Sequence, residues 1–367
     1  MKINKSFFNV DLDINLVKGI FCLYYVAFFV HYFTNITIIA SIFLFSLTAM
    51  FGMLYILKNV HERELLSFFL VILIIDSFAV VAVLYNGNHT IADPIKLITY
   101  HLIALLLFIR RDQMTVFRNI SIFLYWILTV RTIIAYFLSN SDLDFYISER
   151  IGSNTVSILA IFFFSIDAIW RINSKKKVNY FYCVMTVIVS IFSRSTAGIF
   201  TTVILFILIS LYTMKDVLRK YGILLFIFSL IIFVLILNMP IIQYLENITG
   251  HSGIATRILM WEAYFDLLKG SITNILFGAN ISNVYLLDYY KNLHNTFINW
   301  HYYYGLIPFA CFIYIIIREG IDFIKEKNVI ISSILFIVFL RGMTDETTYA
   351  YMIVWIYLFC ESKYVIN

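Results

Sequence analysis

The stretch LLSFFLVILIIDSFAVVAVLY, residues 65–85, decides the fold of this protein. It carries one charged residue, Asp76, and matches the roughly 20 residues that a helix needs to cross the hydrocarbon core of a bilayer. A strand of a membrane β-barrel would alternate apolar and polar residues, and this segment does not. A helix satisfies all of its own backbone hydrogen bonds in lipid. The segment therefore predicts a transmembrane α-helix.

The rest of the chain has the same character. Of its 367 residues, 62% are hydrophobic and only 13% are charged, whereas a soluble domain carries about 25% charged residues. This composition excludes a water-soluble globule, and the 18% aromatic content excludes a disordered chain. The four cysteines lie inside apolar runs without paired spacing, and neither a phosphate-binding glycine loop nor a basic block typical of nucleic-acid binding occurs. We therefore expect no metal, no cofactor and no nucleic-acid partner.

Apolar segments recur along the whole sequence and predict an all-α, polytopic integral membrane protein, with residues 1–367 forming a single membrane domain. About twelve transmembrane helices are expected. They are placed at about 16–33, 36–57, 65–85, 91–109, 114–138, 151–170, 178–193, 198–214, 222–242, 294–317, 329–341 and 346–361.

The distribution of Lys and Arg predicts the orientation. If the N-terminus is cytoplasmic, 19 of the 27 basic residues fall on the inner side, six on the outer side and two within spans. Cytoplasmic loops of membrane proteins carry an excess of Lys and Arg. We therefore expect both termini in the cytoplasm.

One large loop, about 243–293, is expected on the periplasmic side. Within it, residues 256–269 have helical periodicity and predict an amphipathic helix that lies at the membrane interface. The apolar face is expected to hold Ile258, Leu259, Trp261, Phe265 and Leu268. The polar face is expected to hold Arg257, Glu262, Asp266 and Lys269.

Three arginines stand on the outer side despite the inward bias, each at the edge of a span: Arg194, Arg257 and Arg341. Arginine stays charged and binds phosphate through two parallel hydrogen bonds, so three of them suit a lipid-linked diphosphate. The alternatives are contact with lipid headgroups, or a salt bridge from Arg341 to Asp345 or Glu346.

A histidine opens the span that follows the large loop. A neutral His294 imidazole there could accept a proton from a hydroxyl near pH 7. His301 is the rival candidate, although its aromatic surroundings favour an anchoring role. Within the membrane, Asp76 and Arg131 are each expected near the middle of a span, where they could pair with each other.

Several short motifs follow one another in an order that resembles the O-antigen polymerases, the Wzy-type membrane proteins of the lipopolysaccharide pathway, which are allied to the O-antigen ligases. Each motif alone is weakly specific. They are Arg150-Ile-Gly-Ser-Asn154, Ser193-Arg194-Ser195-Thr196, Arg257-x-x-x-Trp261, Phe277-Gly278-Ala279-Asn280, and His294-Asn295 followed by Gly305.

The resemblance implies a glycosyltransferase that joins oligosaccharide repeat units carried on undecaprenyl diphosphate, without a metal, in partnership with the bilayer and a chain-length regulator protein. It implies that Arg194, Arg257 and His294 are catalytic, with His294 as the base. Substrate binding is expected from Arg341, Asn295, Arg150, Asn154, Trp261 and Asn280. An O-antigen ligase of the same superfamily remains an alternative, and so does a flippase or other transporter of lipid-linked oligosaccharide.

Overall fold

The computed structural model describes residues 5–34, 38–59, 63–87, 90–138, 152–213, 254–281, 284, 287, 293–326 and 329–345. All regular secondary structure within these ranges is helical. The first five helices are α1 (Lys5–Phe33), α2 (Ile38–Asn59), α3 (Arg63–Asn86), α4 (Ala92–Ile109) and α5 (Met114–Leu138). The next three are α6 (Ser153–Asn173), α7 (Tyr180–Phe192) and α8 (Thr196–Thr213). The last five are α9 (Ile254–Lys269), α10 (Ile272–Phe277), α11 (Thr296–Tyr304), α12 (Leu306–Glu326) and α13 (Val329–Thr344).

Six of the described helices, α1 to α6, are long and apolar enough to cross a membrane. Parts of α7, α8, α12 and α13 form shorter apolar helices. Nine of these ten match predicted segments, and α12 covers the second half of the predicted span 294–317, so the described residues are all-helical and have the character of a membrane protein. The predicted spans at 222–242 and 346–361 lie outside the described residues, as does Arg150.

The centre of the bundle is formed by α6. Its residues from Val156 to Ile169 are all buried, which fits a helix that is apolar around its whole circumference. Near the end of this run, Asp167 is fully buried and accepts hydrogen bonds from Arg118 Nε and Arg171 Nε, each at 2.7 Å. In contrast, α2, α3 and α5 expose large apolar side chains, such as Ile39, Leu84 and Phe137. Such faces suit contact with lipid hydrocarbon.

The expected pairing of Asp76 with Arg131 is wrong. Asp76 lies 2.7 Å from the Nδ1 atom of His101 on the neighbouring helix α4, and both side chains are buried. Arg131 donates a hydrogen bond to the carbonyl of Phe33 at the end of α1. Each group thus has a polar partner of its own, as buried polar groups require.

The predicted span 294–317 is not one continuous helix. It breaks at Gly305, whose φ of +77° is a left-handed conformation that glycine adopts without strain. A Cβ at this position would lie 2.4 Å from the carbonyl oxygen of Leu276, so α10 approaches the break closely. The approach is reciprocal, because a Cβ on Gly278 (φ +80°) would lie 2.6 Å from the carbonyl oxygen of Tyr302.

The buried side-chain amide of Asn86, the last residue of α3, stabilises this close approach. Its Nδ2 atom donates to the carbonyl of Phe277 at 3.1 Å and to that of Tyr302 at 3.1 Å. The segment after α9 is therefore fixed to the end of a membrane-length helix. Asn280 belongs to the same region, since its Nδ2 atom lies 3.6 Å from the position that a Cβ on Gly87 would take.

The predicted faces of the 256–269 helix are only partly right. Helix α9 buries Met260 and Tyr264, whereas Leu259 and Phe265 are about half exposed. Arg257 is half-buried and lies on the same side as Met260, rather than with the exposed Glu262. The reason is that α9 packs its inner side on α10 and α11, and this contact, not the apolar pattern, decides which side chains are buried.

Candidate functional site

Four segments that are far apart in sequence meet at one end of the helix bundle. They are the start of α6, the turn between α7 and α8, the residues just before α11, and the end of α13. Three of the outward motifs predicted from the sequence come together here, because Asn154, Arg194 and His294 belong to the first three segments. The fourth contributes Arg341 and Asp345, the two side chains that connect the others.

The guanidinium of Arg341 lies at the centre of this meeting point and is 1% exposed. Its Nη2 atom donates to the carbonyl oxygen of Asn154 at 3.3 Å and lies 3.5 Å from Ser157 Oγ. It also lies 3.4 Å from Asp345 Oδ2, one helical turn further on. Arg341 is therefore a buried connector between α6 and α13, and its surroundings are not those of an arginine open to a substrate diphosphate.

The second oxygen of Asp345 faces His294. Its Oδ1 atom is 3.6 Å from His294 Nδ1, so the carboxylate lies between an imidazole and a guanidinium. Asp345 is 6% exposed, whereas the imidazole side chain is 31% exposed. The distance exceeds a normal hydrogen bond, as is common at catalytic pairs without substrate. A proton on Nδ1, facing the carboxylate, leaves Nε2 as the nitrogen that can accept a proton.

Two of the predicted catalytic residues have left-handed backbone conformations. Among the described residues, only Lys175, Arg194 and His294 combine a side chain with a positive φ, at +52°, +55° and +48° respectively. Such conformations cost about 1–3 kcal/mol each and persist only where the surroundings hold them. They cluster at functional sites, so their coincidence with Arg194 and His294 favours a site at this end of the bundle.

The turn that carries Arg194 is held by its neighbour Ser195. The Ser195 hydroxyl accepts a hydrogen bond from the backbone N–H of Gly198 at 3.0 Å and donates to Asn154 Oδ1 at 2.7 Å. It therefore caps the N-terminus of α8 and ties the turn to α6. Gly198 is required there, because a Cβ would lie 2.4 Å from the Cβ of Ser157. The Ser-Arg-Ser-Thr-Ala-Gly sequence therefore permits a close crossing of α6 and α8.

The Arg194 side chain itself is exposed. Its Cζ atom lies 5.1 Å from the centre of the Tyr136 ring, near the C-terminal end of α5, which is a cation–π distance. Among the described residues, no carboxylate forms a salt bridge with Arg194, whereas Asp345 lies beside Arg341. Of the two arginines, Arg194 is the one positioned to meet an anion from outside the bundle.

Helix α9 carries Arg257 and Trp261. Arg257 is half-buried, and Trp261 lies one turn later on the helix. The Trp261 indole donates a hydrogen bond to the carbonyl of Leu293 at 2.7 Å. This contact joins α9, through Trp261, to the residue immediately before His294.

Asn295 and His301 have structural contacts instead. Asn295 caps α11, since its Oδ1 atom accepts from the backbone N–H groups of Phe297 at 3.0 Å and Ile298 at 3.2 Å. His301 accepts a hydrogen bond on Nδ1 from the hydroxyl of Tyr264 at 2.8 Å. Its Nε2 atom donates to a carbonyl oxygen of α10 at 2.7 Å.

The sequence argument missed the connecting residues. Asp345 entered only as a possible partner of Arg341, and Ser157 and Asn86 did not enter at all. The spacing of Arg341 and Asp345, four residues apart at the end of an apolar helix, is a signal that could have suggested a shared site. Ser157 and Asn86 carry no such signal in a single sequence.

No protein-family model, curated protein or solved structure matches this chain. The functional argument therefore rests on the residues and on their geometry.

Proposed function

We propose that this protein is an O-antigen polymerase, a membrane glycosyltransferase that joins undecaprenyl-diphosphate-linked oligosaccharide repeat units at the periplasmic face of the inner membrane. The observation that supports this most is the His294–Asp345–Arg341 arrangement, with Arg194 exposed on a neighbouring turn. It offers a positioned base, His294, and an exposed cation, Arg194, for an anionic leaving group. Both are what transfer of a sugar from a lipid diphosphate requires.

His294 acts as the general base in this proposal. Its Nε2 atom removes the proton from a hydroxyl at the non-reducing end of the incoming repeat unit, and that oxygen forms a bond to the anomeric carbon of the growing chain. The carboxylate of Asp345 faces the protonated Nδ1 atom and stabilises the imidazolium that forms. Positioned proton transfer of this kind is typically worth about 10²–10⁴-fold in rate.

The leaving group is undecaprenyl diphosphate. As the bond from the anomeric carbon to the phosphate oxygen breaks, negative charge develops on the diphosphate, and preorganised positive groups stabilise it. Arg194 and Arg257 supply these groups. Arg341 contributes indirectly, because its charge fixes the position of the carboxylate that faces His294.

The membrane orientation is part of the proposal. Both termini are placed in the cytoplasm and the loop 243–293 in the periplasm, on the evidence of the basic residues alone. Topology reporters fused after Asn283, which lies outside the described residues, and at the C-terminus test this. A cytoplasmic signal after residue 283 would contradict a periplasmic site.

The decisive experiment compares the lipopolysaccharide of the gene deletion with that of strains complemented by wild type, His294→Ala or Lys269→Ala. The deletion and His294→Ala are expected to give core capped with a single repeat unit, because a separate ligase still transfers the monomer. Lys269→Ala is the matched control, since Lys269 is exposed and paired with Asp266 at 2.7 Å; it should keep the ladder of long chains.

The other outcomes distinguish the alternatives. Bare core without any repeat unit in the deletion strain would indicate a ligase or the only flippase. A normal ladder from well-expressed His294→Ala would contradict its role as base. Normal chain numbers with a changed distribution of lengths would instead point to the contact with a chain-length regulator.

A further inference from the structure

The backbone of Leu293, just before His294, is held by hydrogen bonds at both its N–H and its carbonyl group. The backbone N–H of Leu293 donates to Asn299 Oδ1 at 3.0 Å, and its carbonyl accepts from Trp261 Nε1 at 2.7 Å. Leu293 is 1% exposed and Asn299 is fully buried, so water does not compete for these bonds. Leu293 therefore has a fixed backbone just before a residue with an unusual one.

This fixation sets the direction of the imidazole. The φ angle of His294 describes rotation about its N–Cα bond relative to the preceding peptide plane, and it is +48°. Trp261 holds that preceding plane through the Leu293 carbonyl. On the following side, Asn295 is anchored as the cap of α11. With both flanks held, the Cα–Cβ bond of His294 can point in one direction only.

The same contact links His294 to the helix that bears Arg257. Residues four apart on a helix lie on one face, so Arg257 and Trp261 are neighbours on α9. The Tyr264–His301 hydrogen bond of 2.8 Å fastens the next part of that helix to α11. A displacement of α9 would therefore move Arg257 and the Leu293 carbonyl together.

We propose that Trp261 is a positioning residue, whose indole N–H holds the Leu293–His294 peptide bond and so aligns the imidazole with Arg257. This inference rests on the proposed function and replaces the expectation that Trp261 binds substrate. Its basis is the hydrogen bond to the backbone, which leaves the indole nitrogen engaged within the protein. The role acts through His294, so it should vanish when His294 is removed.

The test replaces Trp261 with 3-benzothienylalanine by amber suppression, which exchanges the indole N–H for sulfur and keeps the ring shape. We expect the rate of long-chain formation after induction to fall about ten- to a hundredfold, as for a small misplacement of a catalytic group. In hydrogen exchange, amides of residues 293–299 should exchange roughly two- to tenfold faster. The same replacement at Trp126, on the exposed side of α5, is the matched control and should change neither measurement.

Each other result overturns the inference. Wild-type chain formation with the sulfur analogue would mean that the ring only fills space. Lost chain formation with unchanged exchange at 293–299 would mean that Trp261 meets the substrate directly. A further loss on combining the analogue with His294→Ala, measured on residual activity, would mean that Trp261 acts through another group.

Failure of the proposed function has a different signature. A full ladder from His294→Ala would contradict the polymerase mechanism and the positioning role together. The exchange measurement would still report whether the indole N–H holds the Leu293–His294 peptide, because it requires no substrate.

Discussion

Replacing Arg341 by alanine is expected to destabilise the protein itself, not merely to weaken substrate binding. The guanidinium is 1% exposed and lies 3.4 Å from Asp345 Oδ2. Its removal leaves the carboxylate buried without its nearest cation, and breaking such a pair from one side typically costs about 3–5 kcal/mol. It also removes the donor to the Asn154 carbonyl, which joins α6 to α13.

The measurement is the midpoint of heat-induced unfolding of the purified protein in detergent, together with binding of undecaprenyl diphosphate. Arg341→Ala should lower the midpoint by several degrees. Arg194→Ala is the matched control, because that guanidinium is exposed and exposed substitutions usually change stability by less than about 0.5 kcal/mol. The control should keep its midpoint and lose binding of the lipid diphosphate.

A second variant separates lost charge from lost packing. Arg341→Met combined with Asp345→Asn removes both charges and keeps most of the volume, so it should be more stable than Arg341→Met alone. The reasoning is refuted if Arg341→Ala keeps the wild-type midpoint while binding of undecaprenyl diphosphate disappears. That pattern would place Arg341 on the diphosphate, as the sequence first indicated.

Gly198→Ala should destabilise by about 1–3 kcal/mol, because its Cβ would overlap Ser157; a normal melting midpoint would contradict the close crossing. Asn86→Leu should leave buried carbonyls unsatisfied and increase proteolysis of the segment after α9, measured by limited digestion. His301→Ala should lower the yield of folded protein, since it breaks two hydrogen bonds that connect α11 with α9 and α10. His294→Gly should have a free energy of unfolding about 1 kcal/mol higher than His294→Ala, because glycine adopts a positive φ freely. Both variants should lack the ladder of long chains on gels.

The membrane-length helices could be predicted because their cause is local. The segment 65–85 needs no partner to be helical in lipid, since its own backbone satisfies its hydrogen bonds. The structure places α3 there, from Arg63 to Asn86. The same reasoning failed over 294–317, where hydropathy measures the cost of leaving water and carries no information on backbone dihedral angles. Gly305 and the following Pro308 were the only local signs of the break.

The candidate site could be predicted only as a set of residue types. Arg194 and His294 were recognised because each is an unusual residue at the edge of an apolar run. Their left-handed conformations, and the carboxylate of Asp345 beside the imidazole, depend on contacts between segments that one sequence does not reveal. The hydrogen bonds of Trp261 and Asn295 to backbone groups could not be predicted for the same reason, because the sequence pattern does not specify them.

The three arginines predicted on the outer side therefore differ in burial, and this difference has a physical explanation. A buried guanidinium cannot exchange partners cheaply, so the charge of Arg341 is committed to Asp345 and to the carbonyl that fixes α6. An exposed guanidinium over an aromatic ring gives up little when an anion arrives, which suits Arg194 to a leaving group that must bind and depart. One arginine thus fixes the carboxylate beside the base that begins the proposed reaction, and the other, which has no carboxylate partner among the described residues, can receive the charge that ends it.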